Sequence, residues 1–177
     1  DEMSSRGLGD VYKRQQEGIG IAERILGNNK NAIEQFKLVI ENFDTSEVAW
    51  DFSGDIFLEV NNFEAAIYHY KNAIRVAPSN MFTYQKLNQT AIRANEIDDV
   101  ISYYQNMANN SPSWFVPYEN MGFLYLNKQD SLNAALQYKN CFERGKKVAS
   151  AYQILAPFLQ RNNYITELEI FNAAYQN

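Results

Sequence analysis

Along most of this chain the apolar residues recur at spacings of three and four, in paired runs separated by a short polar break. Within residues 47–80, Trp50, Ser53, Gly54 and Phe57 mark one stripe, and Phe63, Ala66, Ile67, Tyr70, Ala73 and Ile74 mark the next. That spacing puts each set on one face of an α-helix, so each pair of stripes predicts two amphipathic, antiparallel helices. The breaks carry helix-stopping chemistry. Asn61 and Asn62 tolerate the left-handed backbone that follows a helix, and Pro78 and Pro112 cannot continue one. Pro117 falls in a first helical turn, where its missing donor costs little.

The pairs repeat with a period of 34 residues. Stepping by that period from Trp50, Gly54, Phe57, Ala66, Tyr70, Ala73 and Pro78 reaches Tyr84, Asn88, Ala91, Val100, Tyr104, Met107 and Pro112. One more step gives Tyr118, Gly122, Tyr125, Ala134, Tyr138, Cys141 and Lys146. A fixed period of this length marks a stacked array in which each unit buries its apolar face against its neighbours. Gly54, Ala66, Gly122 and Ala134 are expected at helix crossings, where a minimal side chain lets backbones approach to about 8 Å, with Trp50, Tyr70 and Tyr138 filling the flanks. At the C-terminal edge, Tyr164, Ile165, Leu168 and Phe171 have no following unit, which predicts either a polar outer face there or a continuing array.

This pattern resembles the tetratricopeptide repeat (TPR), whose motif sets an aromatic at position 4, a small residue at 8, an aromatic at 11, Ala at 20, an aromatic at 24, Ala at 27 and Pro at 32. Residues 47–80 match at all seven positions, through Trp50, Gly54, Phe57, Ala66, Tyr70, Ala73 and Pro78. Residues 81–114 are looser, with Asn88 for Gly and Val100 for Ala, and 115–148 depart at Lys146. Residues 13–46 keep Gly20, Ala32, Phe36 and Val39 but place Glu23 where an aromatic belongs. A partial fifth repeat, 149–177, fits through Tyr152, Leu155, Ala156 and Leu159, and a one-residue deletion brings Tyr164, Phe171 and Ala174 into phase. The resemblance covers about nine tenths of the chain and implies an all-α fold, an α-solenoid of antiparallel helix pairs with nine to ten helices.

Composition narrows the function. About half of the 12 Tyr and 11 Phe fall in phase with the repeat, which points to packing. A net charge of -5 lacks the basic footprint that phosphate backbones require, which argues against nucleic acid. No run reaches the ~18 apolar residues of a membrane span. One cysteine excludes an internal disulfide and leaves the compartment open, cytoplasmic or periplasmic. Residues Ser5 to Gln15, SRGLGDVYKRQ, resemble the translation of a transposase sequencing-library adapter. We therefore expect residues 1–15 to be non-native and the TPR array to occupy 16–177, with the native start upstream and lost.

Catalytic, cofactor and metal sites are not expected. His69 is the only histidine and falls at an outward position of a second helix, where it reads as solvated. Cys141 stands in phase with Ala73 and Met107 and reads as buried packing. One His and one Cys on different faces give no metal-ligand spacing, and the chain has neither a Gly-rich phosphate loop nor a Ser-centred elbow.

The resemblance directs attention to a groove instead. In TPR arrays the first helix of each repeat lines a concave surface through positions 2, 5, 9, 12 and 13. Position 5 holds Glu17, Asp51, Gln85, Glu119 and Gln153, a column of side-chain oxygens. Val48, Phe82 and Val116 occupy position 2, Asp55, Gln89 and Phe123 position 9, and Leu58, Ile92 and Leu126 position 12. A mildly acidic, partly apolar groove for a peptide or helix is the expectation. The family's clamp on chaperone C-terminal tails needs Lys at position 5 and Asn at 9. Glu17 with Ile21, or Asp51 with Asp55, argue against that ligand. A protein-interaction module is the first reading. The targeting segment of a larger transferase-type enzyme and an envelope or pilus assembly protein are the alternatives.

Overall fold

The protein is described from a computed structural model that covers residues 2–177, with side chains from Gly7 onward. Among the described residues there are ten α-helices: α1 (Glu2–Ile25), α2 (Asn29–Asn42), α3 (Glu47–Glu59), α4 (Phe63–Val76), α5 (Met81–Ala94), α6 (Ile97–Asn110), α7 (Val116–Asn127), α8 (Ser131–Phe142), α9 (Ala149–Arg161) and α10 (Ile165–Gln176). The fold is all-α, of the solenoid class built from helix pairs. The chain divides into two compact units, Asp1–Ala94 and Asn95–Asn177. In the first, α1 packs on α2, α2 on α3, α3 on α4 and α4 on α5. In the second, α6 packs on α7, α7 on α8, and α9 and α10 close on α8.

The backbone keeps the 34-residue period at its turns. Left-handed φ values recur at Gly27 (79°), Asn61 (57°), Asn95 (60°), Gln129 (61°) and Asn163 (61°). At Asn61 the geometry is that of a Schellman turn: Asn61 N–H donates to Leu58 O at 3.1 Å, and Asn62 N–H donates to Phe57 O at 2.8 Å. The Asn61-Asn62 pair divides its labour. Asn61 takes the left-handed conformation, while Asn62 Oδ1 accepts from Ala65 N–H at 3.2 Å and caps α4. Asp130 caps α8 the same way, accepting from Asn133 N–H at 3.1 Å. Pro117 lies in the first turn of α7, as expected.

The glycine stations carry the helix crossings. A Cβ on Gly54 would stand 2.6 Å from the Tyr70 ring, one on Gly20 2.6 Å from Phe36, and one on Gly122 2.8 Å from Tyr138. Only a missing side chain admits the ring there, which is why the small and aromatic positions travel together. Phe36 and Tyr70 are fully buried, with Ala66 and Ala73 beside Tyr70 on α4. In the second unit Tyr138 and Phe142 pack with Leu155, Leu159 and Phe171, and Tyr152 stacks on Phe171 and Tyr175 at 5.6 and 4.0 Å.

The adapter-like stretch is helical through Gln15 as part of α1, and Tyr12 packs against Phe43 with ring centroids 6.3 Å apart. The side chains of its first residues, Ser5 and Arg6, lie outside the described residues. At the C-terminal edge Phe171 is buried, Tyr164 and Leu168 are half-buried, and Ile165 and Ile170 are about half exposed beside the exposed Thr166, Glu167 and Glu169, so the outer face there mixes apolar and polar residues.

Candidate functional site: the first-helix faces

In the first unit the first helices are α1, α3 and α5. Asp51 and Asp55 lie one turn apart on α3, and both carboxylates are met from α5. Lys86 Nζ donates to Asp51 Oδ2 at 2.6 Å and to Asp55 Oδ2 at 3.0 Å, and Thr83 Oγ1 donates to Asp51 Oδ1 at 3.1 Å. From α4, Tyr70 Oη donates to Asp55 Oδ1 at 2.8 Å. From α1, Arg24 Nη2 donates to Glu59 Oε1 at 2.8 Å and approaches Asp55 Oδ2 at 3.6 Å, with its guanidinium 5.2 Å from the Phe52 ring centre. Burial works against the Lys86 charge, but the hydrogen bonds to Asp51 and Asp55 prevail and raise its pKa above the ordinary lysine value. The Tyr70 hydroxyl is pushed well above the usual tyrosine range, by burial first and then by Asp55. Three carboxylates against two cations leave this network one negative charge.

Among the groove's side-chain oxygens the two acids of α3 are therefore already engaged. Asp51 and Asp55 are half-buried members of a network that ties α1, α3 and α5 together, and Lys86 and Arg24 satisfy them from within the chain. The groups that remain open are on α5: Phe82 is 74% exposed, with Gln85 and Gln89 exposed beside it and Ile92 half-buried. Leu58 is half-buried on α3. The missed residues left a signal in the sequence. Lys86 follows Asp55 and Asp51 by 31 and 35 positions, and Arg24 precedes Asp55 and Glu59 by the same intervals, about one repeat away.

In the second unit the first helices are α7 and α9. Glu119 is half-buried, and its carboxyl is raised above the ordinary range by burial, with Lys146 pulling the other way. Phe123 is 40% exposed, Leu126 half-buried and Gln153 exposed. Val116 departs from the expected apolar stripe: it is only 2% exposed, in a first turn where Pro117 and Tyr118 are also buried. Arg144 covers that turn, donating to Pro112 O and lying 4.0 Å from the Tyr118 ring centre.

The two candidate reactive side chains lie elsewhere. Cys141 is buried in α8, its Sγ donates to Lys146 O at 3.4 Å, and burial followed by the Glu119 charge pushes its thiol up to about 12. His69 corrects the solvated reading. Its ring packs against Phe57, Trp50 and Tyr68 at 4.9, 5.1 and 5.5 Å, its Nδ1 is buried without a hydrogen-bond partner, and burial lowers its pKa to about 4. The outward station on α4 borders a cleft of about 330 Å³ toward α2, which the helix pattern alone does not reveal. Among the described residues no cluster of His, Cys, Asp or Glu fits a metal ion, and no helix is long and apolar enough to cross a membrane.

Repeat-paired helices with a Gly-aromatic crossing define a TPR-like fold, and solved structures bear this out. The C-terminal part of a TPR repeat-containing protein from Cytophaga hutchinsonii matches with a TM-score of 0.63 at 16% identity, over 92% of this chain and 67% of that one. YrrB, described as a TPR protein with an unusual peptide-binding site, matches with a TM-score of 0.51 at 14% identity, over 91% of this chain and 84% of that one. PilF of Pseudomonas aeruginosa matches with a TM-score of 0.54 at 13% identity, over 95% and 77%. No protein-family model and no curated protein sequence matches this chain.

Proposed function

We propose that this chain is a non-catalytic protein-binding scaffold whose first-helix faces take a peptide or a helix. The observation that carries the reading is Phe82: an aromatic ring 74% exposed, with Gln85 and Gln89 exposed on the same helix. Exposed aromatics beside amide donors and acceptors suit the mixed apolar and polar recognition of peptides. YrrB supports it by fold and by the peptide-binding site ascribed to that protein. Because Lys86 and Arg24 already satisfy Asp51 and Asp55, we infer a ligand selected by apolar anchors and backbone amides more than by positive charge. Cys141 and His69 are held in states unsuited to nucleophilic or acid–base work, which supports the absence of catalysis.

Selection from a displayed peptide library followed by titration tests this. The joint change Phe82→Ser with Gln89→Ala is expected to weaken selected ligands by about 1–3 kcal/mol, the range of an anchor residue. Glu34→Lys on the second helix α2 is the control and should leave affinity unchanged. If the control loses ligand as readily as the α5 variant, recognition does not use the first-helix face.

A further inference from the structure

A second surface stands apart from the first-helix faces. In the second unit, α8 and α10 flank a cleft of about 300 Å³ lined by Leu132, Leu136, Lys139, Glu167, Ile170 and Phe171. Leu132, Leu136 and Ile170 are 40%, 50% and 49% exposed, so the cleft and its walls form one apolar patch on the second helices. The repeat shows that this is a local departure. One and two periods before Leu132 stand Asp98 and Glu64, and before Leu136 stand Ser102 and Tyr68, so the other second helices use charge or a hydroxyl at these outward stations.

The charges around the patch say what covers it. Lys139 on α8 and Glu167 on α10 stand on opposite walls of the same cleft. A surface with an apolar centre, a base on one wall and an acid on the other is complementary to itself: a two-fold rotation sets Lys139 of each copy against Glu167 of the other, twice per pair. Lys139 also reaches Glu143 at 3.1 Å on its own helix, an i,i+4 contact between a half-buried lysine and an exposed acid of the kind that yields readily to another partner. We propose that the α8–α10 face mediates self-association of this chain as a two-fold dimer. The two helices have 12 residues each. They present a face about 18 Å long and about 20 Å wide, roughly 700 Å² buried in a pair and below the ~1,200 Å² of a standard specific interface, so the dimer is a weak and transient one, with a Kd on the order of 100 μM.

Sedimentation of the full chain from about 1 to about 500 μM, a range that brackets such a Kd, tests this. The mass is expected to rise from 20.4 kDa toward twice that value. Leu136→Glu holds the protein monomeric across the range with an unchanged circular dichroism spectrum. Lys139→Glu alone and Glu167→Lys alone each weaken association about tenfold, because each sets like charges together twice, and the double exchange restores it. A monomer at every concentration, a dimer that survives Leu136→Glu, or a double exchange that regains nothing overturns the proposal.

Discussion

At the fifth station of its first helix the second repeat carries Asp51 and the fourth carries Glu119, two acids at equivalent points of a repeating backbone in opposite surroundings. Asp51 is claimed from the next repeat by Lys86 and Thr83. Counting the same 35 residues on from Glu119 reaches Ile154, so no lysine arrives, and the carboxyl is half-buried with only Lys146 to offset its desolvation. The next groove station repeats the contrast, with Asp55 in the first unit and Phe123 in the second. A column of like residues in an aligned repeat is therefore not a column of like charges offered to a partner. What each acid does depends on the residue one repeat away.

The largest effect should come from removing the cation. Lys86→Met leaves Asp51 with Thr83 alone and Asp55 with Tyr70 and the more distant Arg24, and is expected to cost about 2 kcal/mol, between the values of surface and buried pairs. Denaturant unfolding measures it, with Lys37→Met, which loses only the exposed contact to Glu41 at 3.6 Å, as the comparison. A lysine whose folded pKa is raised contributes stability that is complete below its unfolded value of 10.5 and is lost as pH rises through the folded value. The gap between wild type and Lys86→Met should hold from neutral pH to about 10 and close above that. Equal losses in the two variants would reduce the network to ordinary surface pairing.

His69 supplies the next effect, with the opposite pH sense. Its folded pKa of about 4 lies below the ordinary 6.5, so the unfolded chain takes up the proton first and stability falls as pH drops through that window. Because the ring keeps one open edge, the loss between pH 7 and pH 4.5 should be about 1–2 kcal/mol. His69→Phe should remove that slope and leave the rest of the acid profile. The slope would persist in the variant if other groups caused it.

The smallest effect sharpens the comparison most. A carboxyl whose folded pKa is raised opposes folding while charged, and that penalty is relieved as pH falls through the folded value toward 4.5. Glu119→Gln should therefore stabilise the protein by about 0.5 kcal/mol at pH 7 and by nothing near pH 4, whereas Asp51→Asn should destabilise it. Effects of the same sign at both stations would mean that Asp51 and Glu119 sit in equivalent surroundings.

The helix pairs, their turns and the Gly-aromatic crossings were legible in the sequence because each depends on residues close along the chain. Asn61 needs only its own helix end, and Gly54 meets Tyr70 in the adjoining helix. The charge network was hidden because it joins three repeats, and a motif read one repeat at a time assigns Lys86 to no role. Val116 and His69 were misplaced for a related reason. A helix position gives a direction, but the burial of the whole first turn of α7 around Val116, and the α2 residues that border the cleft beside His69, lie outside the stripe being read. The ligand proposed for the α5 face leaves no mark in the repeat, which constrains packing positions and frees the rest.

The crossings also bear on how the chain reaches its folded state. Gly20 meets Phe36, Gly54 meets Tyr70 and Gly122 meets Tyr138, each across the same sixteen residues. Contacts that close over such short loops give low contact order, for which search times of microseconds to milliseconds are the norm. No distant strand must be found before the first stable hairpin of helices forms, so α1–α2, α3–α4 and α7–α8 are each able to act as a starting point. Crowding one crossing should then leave the other two hairpins as alternative points of departure, and the chain as a whole should have parallel folding routes in place of one obligatory nucleus.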